Sequence, residues 1–204
     1  VSSRTIHCPS CGGPTDVRSR SIQVVVCQYC DQSITLTPEG VEAQGGKSAA
    51  LADLFTDLST GAAGRLDGRT FQVAGRVRYT WDAGFWDEWI LSFDDGTMAW
   101  LHEDEGELTL LVQVDLTGPV DLDGARVGKT IAVNGRQVYV TERRGARIHG
   151  GEGQIPRGVV FGGQLEYVDG KVQGESWMLE RMNGTVELFV GKTVADDAIE
   201  VYGA

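Results

Sequence analysis

Four cysteines carry the clearest chemistry in this sequence, as Cys8-Pro-Ser-Cys11 and Cys27-Gln-Tyr-Cys30. A two-residue gap folds into a knuckle that turns both thiolates towards one ion, and two knuckles complete a tetrahedron. Fifteen residues separate the pairs, giving the C-x2-C…C-x2-C spacing of a structural zinc site held by Cys8, Cys11, Cys27 and Cys30. Four sulfurs leave no open coordination position, so zinc here folds its module and does not catalyse. Two disulfides would require an oxidising compartment. A redox C-x-x-C would require a βαβ setting that these flanks lack. His7 adjoins Cys8 but is surplus to the four thiolates.

A second constellation joins tryptophan to carboxylate. Between Arg78 and Arg126 there is no Lys or Arg, and the window holds twelve acids together with Trp81, Trp86, Trp89 and Trp100. Core packing accounts for some of these rings. Any that are exposed would attract a cation through charge and cation–π contact, suiting a polyamine or a Lys/Arg-rich protein tail. Trp81, Trp86, Glu88, Trp89, Asp94, Asp95, Glu103, Asp104 and Glu105 are the candidate interaction surface.

No catalytic residue is assigned. The cysteines are committed to metal, and His102 beside Glu103 falls on the opposite face of a strand from it. His149 lies in a glycine-rich stretch. Gly46-Lys47-Ser48 and Gly128-Lys129-Thr130 each miss the phosphate-loop spacing by one residue, which removes nucleotide binding. The formal net charge of −11 argues against nucleic acid and anionic lipid as partners. No run approaches the ~20 apolar residues that cross a bilayer, so no membrane insertion is expected. Val1 to Arg4 shows no hydrophobic leader, so the expected location is cytoplasmic.

The elements that must position these residues are mainly β. Residues 1–36 read as a zinc ribbon with strands at Ile22–Val26 and Ile34–Leu36. Residues 37–64 read as a linker, jointed at Gly45-Gly46 and holding one helix from Ser48 to Leu58 with Leu51, Leu54, Phe55 and Leu58 on one face. Residues 65–204 read as a β domain. Within it Gly68–Tyr79 matches Gly128–Tyr139 at six of twelve places, a strand pair about a glycine turn used twice. Two such units predict an antiparallel β sandwich or small barrel. The acids that follow the first copy and the arginines that follow the second could cover one another.

Phe71 to Tyr79, Trp86-Asp-Glu-Trp89, Phe93-Asp-Asp-Gly96, Trp100-Leu101, Gly153-Gln-Ile-Pro156 and Glu187-Leu-Phe-Val-Gly191 occur in that order. Over about residues 65–195 the chain thereby resembles an uncharacterised bacterial domain-of-unknown-function family. Its members are often encoded beside a polyamine aminopropyltransferase and small membrane proteins, and some carry an N-terminal zinc ribbon. The resemblance implies an accessory of a membrane-stress or polyamine-linked system and transfers no catalytic residue. Three readings follow: a non-enzymatic adaptor whose partner is a protein, membrane proteins included; a polyamine- or cation-binding module; and an enzyme with an unrecognised site. A pocket joining His102 or His149 to carboxylates would favour the last.

Overall fold

Five two-residue turns set the architecture. Asp67-Gly68, Glu105-Gly106, Asn134-Gly135, Gln173-Gly174 and Asn183-Gly184 all adopt positive φ, 47–51° at the first residue and 74–89° at the glycine. This backbone matches the right-handed twist of paired strands and closes tight hairpins. The apolar runs between the turns become strands in a computed structural model that describes residues 4–52 and 56–202.

An N-terminal module holds β1 (Arg4–His7), β2 (Pro14–Val17), β3 (Val24–Val26), β4 (Gln32–Thr37) and β5 (Gly40–Lys47). Next come β6 (Ala63–Leu66), β7 (Arg69–Trp81), β8 (Gly84–Phe93), β9 (Met98–Asp104) and β10 (Glu107–Val114). A crossing segment leads to β11 (Thr130–Val133), β12 (Arg136–Ile155), β13 (Gln164–Val172), β14 (Glu175–Met182) and β15 (Thr185–Thr193), and β16 (Ile199–Val201) ends the chain.

Strands β7-β8-β9-β10-β15-β14-β13-β12 pair in that order, and β12 returns to β7, so eight antiparallel strands close a barrel. Two four-stranded meanders therefore meet at two seams, β7–β12 and β10–β15. The N-terminal half of β7 pairs with β6 and its C-terminal half with β12. Likewise β12 pairs first with β11 and then with β7. This reciprocity is that of a two-fold axis perpendicular to the barrel. It equates the β6–β7 turn Asp67-Gly68-Arg69 with the β11–β12 turn Asn134-Gly135-Arg136.

The barrel thus confirms a mainly β fold and corrects the expected repeat. Gly75 is no turn: β7 runs straight through it, with a bulge between Val73 and Gly75, whereas Asn134-Gly135 does reverse the chain. The two matching stretches are a single strand and a hairpin. The expected exchange of charge between halves is partly formed, with Arg144 Nη1 3.9 Å from Asp82 and Arg143 Nη2 3.8 Å from Asp123.

The linker helix is absent among the described residues. Residues 48–52 and 56–58 carry no helix, and Leu54 and Phe55 lie outside the described residues. The segment is a strap. The Ser48 hydroxyl donates to Gly151 O at 2.7 Å, and the Ala52 carbonyl accepts from buried Arg76 at 3.2 Å. Leu58 packs with Leu66, Phe71 and Trp89 on the outside of the first meander. Gly45-Gly46 forms no joint but belongs to β5, whose ladder on β4 is broken by a bulge there.

Inside the barrel lie Val77, Tyr79, Trp86, Ile90, Trp100, Ile148, Leu165, Met178 and Phe189. A second apolar layer covers each meander from outside, so the barrel strands are apolar on both faces. Ile155, Val159 and the side chain of Arg157 plug the end from which the module hangs. There β3 extends the sheet by pairing with Gln154 and Ile155 of β12. Gln154 also accepts from Arg18 N and donates to Asp16 O.

Candidate metal centre and barrel mouth

Cys8 and Cys11 sit in the β1–β2 loop, Cys27 and Cys30 in the β3–β4 loop, and both loops use one backbone design. Cys8 N donates to Gly13 O and Gly12 N to Cys8 O; Cys27 N donates to Gln32 O and Asp31 N to Cys27 O. The residue after each pair takes positive φ, 75° at Gly12 and 60° at Asp31. All four sulfurs lie within 4.8 Å of one another and can hold a metal ion. Cys8 to Cys30 is 3.8 Å and Cys11 to Cys27 is 3.7 Å. Edges of that length belong to a tetrahedron whose centre is ~2.3 Å from each sulfur, a metal–thiolate bond length. Burial pushes the Cys8 thiol up, but the Cys11 and Ser10 amides and neighbouring sulfurs outweigh it and bring it down to about 7. His7 Nδ1 meets Gly12 O at 3.2 Å and takes no part. Ile6, Val17, Ile22, Val25 and Ile34 wrap the cluster.

The structure divides the expected tryptophan–acid surface. Trp86 is 4% exposed, Trp89 1% and Glu88 2%, so these three belong to the core and not to an exposed surface. Trp89 faces the outer apolar layer and donates from Nε1 to Glu103 at 2.7 Å. Asp94 and Asp95 are exposed in the β8–β9 turn, where Asp95 accepts from Thr97 and Arg69 and is held below the usual carboxylate range by them. They lie at the other end of β8 from Trp81. What remains gathers at one mouth: Trp81, Gly84, Phe85, Glu103, Asp104 and Glu105 line a groove of about 350 Å³. Arg144 stacks over Trp81 at 4.3 Å, and Phe85 is 43% exposed.

The mouth deepens into the barrel. Two smaller cavities, about 180 and 30 Å³, both have His102, Asp104 and Asp169 in their walls. Glu107 and Lys171 line the larger, with Glu142, Tyr167, Trp81 and Trp86 around the smaller. Burial drives the His102 imidazole down to about 4, so it is neutral at pH 7. Burial, then Glu142 and Glu180, raises the Asp169 carboxyl to about 8. Sequence reasoning weighed His102 but missed Asp169 and Glu142. Asp169 is in phase with inward Leu165 and Tyr167, but the apolar outer face of β13 hides that phase in the sequence.

Beneath the aromatic floor of Tyr79, Trp86 and Tyr167 lies an ion cluster. Arg157 Nη1 donates to Glu180 at 2.5 Å and stands 3.7 Å from Glu88, and Nη2 reaches Glu187. Tyr79 donates to Glu88 at 3.2 Å. Desolvation, followed by Glu180, raises Glu88 well above the carboxylate range.

No helix among the described residues is long and apolar enough to cross a membrane. No curated protein and no solved structure matches the chain. The family DUF4178, described as a domain of unknown function, matches residues 59–196, which span β6 to β15, all eight barrel strands among them, and leave out the cysteine module. With more than half of its residues inside that match, the chain belongs to the DUF4178 family.

Proposed function

We propose that this protein is a cation-binding module in which a zinc ribbon braces a β barrel. The observation that carries the reading is the convergence of Trp81, Phe85, Glu103, Asp104 and Glu105 on one groove at the barrel mouth. An aromatic face beside carboxylates suits an organic cation. Arg144 over Trp81 illustrates the contact from within the chain. The ligand class is a polyamine or a Lys/Arg-rich protein tail, in keeping with an accessory of a polyamine-linked system. Titration with spermidine at physiological salt should move the Trp81 indole resonance, and Glu105→Gln should weaken binding severalfold. Neither heat nor shift change at millimolar spermidine would end this reading.

Zinc is the metal that four thiolates at tetrahedral separation suit best. It would hold the two knuckles together and do no chemistry on a ligand. Metal analysis of purified protein should return one zinc per chain, and Cys8→Ser/Cys11→Ser should return none.

A second reading, a protein adaptor, is favoured by Tyr29, which lies on the second knuckle and is 60% exposed. Pull-down with wild type and Tyr29→Ala would test it, since loss of a defined partner in the variant assigns recognition to the ribbon.

A further inference from the structure

Behind the groove the mouth narrows to the chamber walled by His102, Asp104 and Asp169. Two of its polar atoms, Asp169 Oδ1 and His102 Nδ1, are sealed from solvent yet hydrogen-bond to no protein group. Such atoms cost roughly 1–3 kcal/mol each unless a partner arrives. Both are acceptors when Asp169 is ionised and Nδ1 carries the imidazole lone pair. A ligand that replaces water at both brings more than one N–H, and positive charge to match the carboxylate. Met178 and Leu111 supply an apolar flank for a short hydrocarbon stem.

We propose that the chamber takes the head of a primary alkylammonium ion, which donates to Asp169 and His102. The inference rests on the cation-binding reading and names the ligand's head group and its depth.

The charges around Asp169 come from every neighbouring strand. Asp104 and His102 face it from β9, Glu107 from β10, Glu142 from β12 and Glu180 from β14. Among the described residues Lys171, on its own strand, is the single cation lining the chamber, and its Nζ donates to Ser176 at 2.7 Å. Arg144 lies outside, against Glu142 at 2.6 Å. Carboxylates outnumber cations, so an empty chamber keeps Asp169 protonated up to a pH of about 8. An entering ammonium replaces that proton as the counter-charge. An alkylammonium stays charged throughout this range, as lysine does.

The test is a chemical-shift titration of the full chain with butylammonium chloride at pH 6, 7 and 8, following the Trp86 indole. Tetramethylammonium, which has charge but no N–H, is the control. Butylammonium affinity should rise about tenfold from pH 6 to 7 and flatten towards pH 8, as release of one proton requires. Tetramethylammonium should show no such slope. Asp169→Asn should lower butylammonium affinity at pH 8 at least tenfold and abolish the slope, while its thermal unfolding remains cooperative. Butylammonium binding that is independent of pH and indifferent to Asp169→Asn would place the amine in the outer groove, overturning this inference and sparing the broader reading. Silence from both cations would overturn both.

Discussion

Arg157 decides the charge balance of the barrel interior. One guanidinium faces Glu88, Glu180 and Glu187, so the cluster cannot hold all three carboxylates ionised without a net negative charge in a desolvated space. Glu180 and Glu187 make the direct contacts, and Glu88 is the member that keeps its proton. The folded state then binds a proton that the unfolded chain has released above the ordinary carboxylate value. Stability must fall as pH rises above the ordinary carboxylate range, by up to ~1.4 kcal/mol per pH unit for each such group. Asp169 acts in the same direction. Glu88→Gln should flatten part of that fall in urea titrations across this range; an unchanged slope would mean that Glu88 is ionised in the fold. His102 works the other way. Its lowered value makes stability fall as pH drops from about 6.5 to about 4, and His102→Gln should remove that loss. Cysteine spacing was legible because two knuckles need only local sequence. The inward Glu88, Asp169 and Glu180 were not, since their strands are apolar on both faces and alternation has no preferred phase.

At the scale of elements, turns were readable and seams were not. Asp95-Gly96 marks a hairpin on sight, and the positive-φ turns follow the same chemistry. Gln173 holds φ of 51° with a side chain poorly suited to it, so Gln173→Asn should stabilise the protein by about 0.5 kcal/mol, read from the urea midpoint. Gly75 looked like another turn because glycine carries two meanings. Here it permits close approach: a Cβ on Gly75 would stand 2.6 Å from Gln154 O and 2.7 Å from Glu152 O across the β7–β12 seam. Gly75→Ala should therefore cost upwards of ~2 kcal/mol in chemical denaturation and raise amide exchange on both seam strands, far more than alanine costs at an ordinary strand glycine. The strap illustrates the opposite error. Leu51 and Leu58 have helical spacing, but buried Arg76 and Arg78 claim the Ala52 carbonyl and Ser48 N donates to Asp31 O, so long-range partners took backbone groups of the segment.

For the whole molecule, the module and barrel share a sheet and only the fringe of a core. Most of the module's apolar cluster is its own, with Val24 of β3 packed into the barrel interior and Met98 of β9 packed against both clusters. Chelating the metal should release β1–β5 while leaving the barrel folded. Hydrogen exchange should then lose protection at Val24–Val26 and Gln32–Thr37, with β8 and β14 unchanged. Loss of protection everywhere would show that the metal sustains the barrel as well. The two-fold arrangement of the meanders reaches further. Each half presents the other with matching edges, β7 and β10 from one, β12 and β15 from the other. The strands within a half meet through short connections, whereas the crossing from Val114 to Thr130 is the one span that lets the halves meet. Nothing in either seam distinguishes the chain's own second half from a neighbour's. During synthesis the first meander waits with β10 and the C-terminal half of β7 bare. Refolding at high concentration should accordingly yield closed dimers by exchange of halves, detectable as a slow-reverting peak on size exclusion, and shortening the crossing segment should increase them.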